Sequence, residues 1–224
     1  MIVLYLLCPS VACAQAVSLG YKVGVNFAFP GPDTLFTSVK QGLMLGGVIV
    51  VQPTRQLSFQ AELLYSERVF AREFESREDV EGLPVLVETE DRFTLRYLEV
   101  PVAGGITLPL GHETPIRLHG VMGLSFAYQV GCTRNFERRG FDLTSGQQVV
   151  LAGLRNLPCP RGRRRDLAFL FGAGLEFTVK GTRLVIEARY TRDLVSSGDS
   201  FFGVNRIFTL SVGPMFLASA PKER

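Results

Sequence analysis

The chain has 224 residues, of which 46% are hydrophobic and 20% charged, with a formal net charge of +3. That length suits one sizeable domain or at most two small ones. The mean hydropathy of +0.20 is high for so charged a chain, yet no apolar run reaches the roughly 18 to 20 residues that a membrane-spanning helix requires. A chain that is apolar overall without a hydrophobic helix has the composition of a protein that crosses a membrane as alternating strands.

The first 14 residues, "MIVLYLLCPSVACA", form an apolar run ending in small residues. Ala12-Cys13-Ala14 fits an A-x-A cleavage pattern, so residues 1–14 are expected to be a signal peptide. Cys8 and Cys13 would leave with it. The remaining pair, Cys132 and Cys159, flanks one long polar segment and is a disulfide candidate in an exported protein. It would close a loop of about 28 residues, worth about 3 kcal/mol in chain entropy.

Strict alternation then dominates. In the first strand Val17, Leu19, Tyr21, Val23, Val25 and Phe27 oppose Ser18, Gly20, Lys22, Gly24 and Asn26. A second segment, Leu43 to Val51, is apolar on both faces, so its register is ambiguous; "PTRQ" (Pro53 to Gln56) then turns the chain. The third, Leu57 to Arg68, sets Leu57, Phe59, Ala61, Leu63 and Tyr65 against Ser58, Gln60, Glu62, Ser66 and Arg68. The fourth runs from about Arg92 to Leu108. On it Leu98, Val100, Val102, Gly104, Ile106 and Leu108 are expected to face lipid, and Glu99, Pro101, Ala103, Gly105 and Thr107 the interior. Higher up this strand the apolar set lies on odd positions (Phe93, Leu95, Tyr97), so a bulge near Tyr97 to Pro101 is expected. The turn "LGHET" leads to a fifth strand, with Ile116, Leu118, Met122, Leu124, Phe126, Tyr128 and Val130 on one face and Arg117, His119, Ser125 and Gln129 on the other. The sixth (Asp166 to Val179), seventh (Arg183 to Thr191) and eighth (Val204 to Phe216) follow, with "KGT" between the sixth and seventh.

Eight strands with alternately short and long connections give the expected fold: an all-β, eight-stranded antiparallel up-and-down transmembrane β-barrel over residues 15–218, with a periplasmic tail at 219–224. An even strand count puts both termini in the periplasm of a diderm bacterium. Most strands reach the roughly 9 to 11 residues that span a membrane, and several would project beyond it.

Five segments carry a family resemblance: "LGYKVGVNFA" (Leu19 to Ala28), "LSFQAELLYSE" (Leu57 to Glu67), "LRYLEVPVAGGI" (Leu95 to Ile106), "FGAGLEF" (Phe171 to Phe177) and "LVIEARYTRDL" (Leu184 to Leu194). In that order they resemble the PorT-like outer-membrane β-barrel proteins. The resemblance implies an outer-membrane barrel, a link to protein secretion in some members, and no catalytic residues to carry over. Pro214 and the tail after Phe216 depart from the family pattern.

Lys22, Glu62, Glu99, Arg117, Glu176, Glu187 and Arg189 fall on inward positions. A barrel of this size is just wide enough for side chains to fill, and unpaired buried charge is costly, so these residues are expected to form a lumen charge network. Residues Phe70 to Arg92 carry eight acids and three arginines; Cys132 to Asp166 carry eight arginines and three acids, so two long loops of opposite charge could dock. Within the second, Arg161, Arg163, Arg164 and Arg165 form a possible anion-binding loop facing lipopolysaccharide phosphates.

No nucleophile elbow, phosphate loop or metal-ligand spacing appears, and one basic cluster without stacking aromatics does not make a nucleic-acid binder. His119 and Ser125 share a face but lie about 20 Å apart at strand rise. The expected protein is therefore non-enzymatic, without a cofactor or metal. Its expected partners are membrane lipid, lipopolysaccharide and envelope or secretion-system proteins, with oligomeric state open. The alternative is a soluble lipocalin-like barrel binding an apolar ligand, in which the alternating apolar side chains would point inward.

Overall fold

The structure is a computed structural model and describes residues 16–29, 38–80, 83–111, 116–142, 148–159, 165–179, 182–194 and 206–219. The proposed signal peptide, the tail from residue 220 onward and Arg161, Arg163 and Arg164 lie outside the described residues. The strands are β1 (Ala16–Phe29), β2 (Ser38–Val39), β3 (Gln41–Gln52), β4 (Leu57–Val80), β5 (Leu83–Pro109), β6 (Ile116–Asp142), β7 (Gln148–Leu157), β8 (Arg165–Val179), β9 (Thr182–Asp193) and β10 (Arg206–Ser219).

Eight of these close an antiparallel ring in the order β1, β3, β4, β5, β6, β8, β9, β10 and back to β1. Following paired residues once round from Phe29, through Arg206, Arg192, Phe169, Leu124, Val102, Ala61 and Ile49, returns to β1 at Leu19, ten residues back. Eight strands with a stagger of ten tilt about 40° from the barrel axis. The resulting sheet curves so tightly that inward positions lose room. A Cβ on Gly213 would strike the Tyr21 carbonyl, and one on Gly123 would strike that of Val102.

Alternation is now assigned to inside and outside. Ser18, Lys22 and Asn26 of β1 are buried, while Leu19, Tyr21 and Val23 are exposed. The ambiguous β3 points Met44, Val48 and Val50 inward and Leu43, Leu45 and Ile49 outward. Phe59 on β4, and Met122 and Phe126 on β6, are 54 to 61% exposed. A continuous apolar belt on the outer wall is the reverse of a lipocalin-like cavity. It belongs to a barrel whose outside meets hydrocarbon.

Three features differ from the sequence expectation. First, residues 70–80 and 83–92 are strand, not loop: β4 and β5 pair from Leu57↔Ile106 to Val80↔Leu83, with one gap at Glu62 and Leu63. Second, much of the Cys132 to Asp166 segment is also strand. β6 continues to Asp142, and β7 folds back along it. Charge-rich sequence disguised both extensions.

Third, β5 holds one phase throughout, with Phe93, Leu95, Tyr97, Glu99, Pro101 and Ala103 all inward. The register shift falls between Arg96 and Tyr97, whose partners on β6 are Gly131 and Gln129, so the extra residue is Val130. The expected bulge is thus on the neighbouring strand. Pro101 acts more simply: pairing with β4 lapses opposite Glu62 and Leu63 and resumes in the same register. Pro214 leaves the same gap opposite Tyr21 and Lys22.

Candidate functional site

The lumen charges sort into three layers along the barrel axis. Nearest the short turns, Arg117 and Arg183 pair with Glu176 at 3.2 and 3.6 Å, and Arg183 also donates to Ser18 and to Gln52. At mid-height Lys22 Nζ donates to Glu62 at 2.7 Å and to Glu187 at 3.2 Å. Arg189 grips both oxygens of Glu62 at 2.9 Å and reaches Glu187 at 2.7 Å. Two cations and two anions thus alternate, and every member is buried. Such complete pairing is what makes buried charge tolerable. His119 sits at the edge of this layer, with Thr107 Oγ1 at 3.3 Å from Nδ1 and Glu187 at 3.7 Å from Nε2.

In the third layer Arg68, which is 1% exposed, donates to Glu99 at 3.0 Å and to Asp166 at 3.1 Å, and lies 4.1 Å over the Tyr97 ring. The seven charges anticipated from the sequence are all placed in the lumen, but in separate clusters. Glu99 belongs with Arg68, away from the mid-height quartet. Arg68, Arg183, Asp166 and Asp193, the last with Oδ1 3.9 Å from Arg68, were missed as members, although Arg68 was already on the polar face of its strand. The signal was present in the alternation itself, because each of the four keeps its strand's inward phase.

Above Arg68 the lumen changes character. Ala28, Phe70, Phe93, Leu95, Tyr97 and Ala127 form an apolar plug, and Cys132 and Cys159 pack against it. These cysteines are disulfide-bonded, with Cα atoms 6.1 Å apart. The bond ties the end of β7 to β6 where the plug meets the extension. Two interior cavities, one beside Ser58 and Gln60 and one beside Ser125, measure about 20 Å³ each. Cavities of that size hold about one water apiece. Among the described residues, the lumen is a filled core.

Beyond the plug, β4, β5, β6 and β7 continue as a sheet clear of the ring. The two oppositely charged segments meet there as neighbouring strands. Arg134 forms a bidentate pair with Asp91, both bonds 2.8 Å, and Arg138 pairs with Glu78. Hydrogen bonding to Asp91 holds the Arg134 guanidinium above its ordinary pKa. The outer face of the sheet carries Glu73, Glu75, Glu88, Glu90 and Glu137 around an open groove of about 470 Å³. Lys40 bridges Glu73 at 2.8 Å and Glu90 at 3.6 Å. The bond to Glu73 raises the Lys40 pKa, against a smaller opposing effect of burial. Arg165, the one described member of the proposed anion-binding loop, opens β8 and is exposed. Among the described residues, no three His, Cys, Asp or Glu side chains are grouped to hold a metal ion.

Residues 13–197 match a family described as "Outer membrane protein beta-barrel domain". No curated protein matches the sequence. Among solved structures, the chain is similar to Ail, the attachment invasion locus protein of Yersinia pestis, with 14% identity, 90% of this chain and 99% of that one covered, and a TM-score of 0.38. Neisserial surface protein A gives 10% identity, 91 and 97% coverage and a TM-score of 0.45. OprG from Pseudomonas aeruginosa gives 10%, 92 and 98%, and 0.47.

Proposed function

The chain belongs to the outer membrane protein β-barrel domain family, and on that premise we propose that it is a non-enzymatic outer-membrane protein acting through the sheet raised above its barrel. The observation that carries this reading is strand length. β4, β5 and β6 run 24, 27 and 27 residues, against the roughly 9 to 11 that span a bilayer. About 13 residues of β5 stand beyond the apolar belt, which is about 40 Å along the strand. A filled lumen favours a scaffold that presents this sheet over a conduit.

In this reading the short turns and both termini face the periplasm and the extension faces outward. A contribution to secretion or envelope maintenance, alongside envelope or secretion-system proteins, follows from the resemblance to PorT-like proteins.

The test is a shortened chain in which residues 73–90 are replaced by a two-residue turn, compared with the full chain in cells lacking the protein. The shortened chain is expected to reach the outer membrane and show a heat-dependent gel shift, yet fail to restore detergent resistance or the secreted-protein profile. Full restoration would overturn the reading and assign the function to the barrel alone. An epitope inserted between Val80 and Leu83 is expected to be accessible in intact cells.

A further inference from the structure

The outer wall of β8, β9 and β10, at the end opposite the short turns, carries three exposed arginines, Arg165, Arg192 and Arg206, with no acidic partner among the described residues. Elsewhere toward this end Lys40 pairs with Glu73 and Glu90, and Arg96 with Glu67, whereas Arg192 and Arg206 are direct cross-strand partners of each other. Like charges in that position repel, unless an anion lies between them.

The next residues down the same wall are aromatic. Phe208 pairs with Tyr190, Tyr190 stacks on Phe171 at 5.2 Å, and Phe27 adjoins Phe208 at 6.4 Å. An apolar shelf of rings with guanidinium groups above it matches a molecule with a phosphate head and hydrocarbon chains. Aromatic rings collect at the level where headgroup meets acyl chain, and arginine binds phosphate bidentately.

We propose that Arg192 and Arg206, assisted by Arg165, form a binding site for the phosphate of a phosphorylated lipid in the leaflet facing the extension, its chains lying on the shelf of Phe208, Tyr190 and Phe171. This site is centred on the barrel wall at Arg192 and Arg206, and of the loop expected from the sequence only Arg165 borders it. It rests on the extension facing outward. If that placement fails, the epitope between Val80 and Leu83 is inaccessible in cells; if the lipid site fails, the purified protein shows it.

The experiment counts lipid retained on the detergent-purified full chain by native mass spectrometry, using bis-phosphorylated lipid A as probe. Dephosphorylated lipid A and inorganic phosphate are the other arms. Retention is expected to fall about tenfold in the R192Q/R206Q double variant and not at all in R77Q, which removes an exposed arginine from the extension. Dephosphorylated lipid A should be retained about fivefold less, and 10 mM phosphate should leave bound lipid in place. Unchanged retention by the double variant overturns the site. Equal retention of the dephosphorylated lipid reduces it to an apolar shelf, and displacement by phosphate makes it a free-anion site; either result also overturns the proposal. Should the double variant lose its heat-dependent gel shift, the single variants R165Q and R192Q decide. Each is expected to weaken retention about threefold, and no effect in either sinks the idea.

Discussion

The sheet above the membrane ring prolongs three of the ring's own strands, β4, β5 and β6, yet the two regions are opposite in polarity. In the ring, β5 turns Leu98, Val100 and Val102 outward and Glu99 inward. Above it, the same strand turns Arg92 and Glu88 outward and Phe93, Val87 and Val85 inward. The pleat never changes phase. What changes is the solvent, from hydrocarbon to water, and each face inverts to match. Strand register is therefore a property of the backbone, whereas polarity reports the surroundings.

The largest test concerns the inside of the ring. Glu62→Ala would strip both Lys22 and Arg189 of their shared carboxylate, and uncompensated buried charge costs about 4 kcal/mol. The urea midpoint of the detergent-folded barrel should drop accordingly, with much of the chain failing to insert. An unchanged midpoint would mean that the quartet is hydrated.

Next is the outer wall. Val102→Arg places a charge near the middle of the apolar belt and should cost about 3 kcal/mol. Leu86→Arg, on the same face of the same strand above the belt, should stay within about 1 kcal/mol, the range of ordinary surface changes. Equal costs at the two positions would show that the belt does not end where the polarity inverts.

Below that comes Val87→Ala. Its side chain is fully buried in the extension, and two lost methyl groups with a residual cavity amount to about 2 kcal/mol. Protease sensitivity near Val87 should rise while the heat-dependent gel shift of the barrel is unchanged. A parallel loss of barrel stability would show that the two regions unfold as one unit.

The same inversion explains how far the sequence could be read. Most of the eight segments were legible because they have an apolar side facing hydrocarbon and a polar side facing the lumen, whereas the second, which turns Met44, Val48 and Val50 inward, left its register open. β4 beyond Arg68 was not, because Arg72, Glu73, Glu75 and Arg77 carry charge on both faces and look like a solvated loop. Phe93, Leu95 and Tyr97 suggested a slipped strand, since a fixed outward direction had been assumed for apolar residues. Their true role as the lumen plug needed the structure. The individual lumen charges could be read from phase alone. Their division into layers could not, because it depends on the ten-residue stagger that brings Glu99 level with Arg68 while leaving Glu62 beside Arg189.

The smallest effect separates the two regions electrostatically. Lys40 joins Glu73 and Glu90, which face each other across β4 and β5 and would otherwise repel. Both partners are substantially exposed, so Lys40→Met should cost under about 1 kcal/mol and should weaken further as salt rises. The folded pKa of Lys40 is raised by its bond to Glu73. Its contribution is therefore complete below the unfolded lysine value near pH 10.4 and is lost as pH rises through the folded value. Hydrogen exchange in the extension, compared at 50 and 500 mM salt, should show the wild type approaching the variant as salt is added. The mid-height quartet in the ring is shielded from that salt, so exchange around Lys22 and Glu62 should not respond. A salt response of equal size in both places would mean that the lumen is open to water, and the contrast between the two regions would fail.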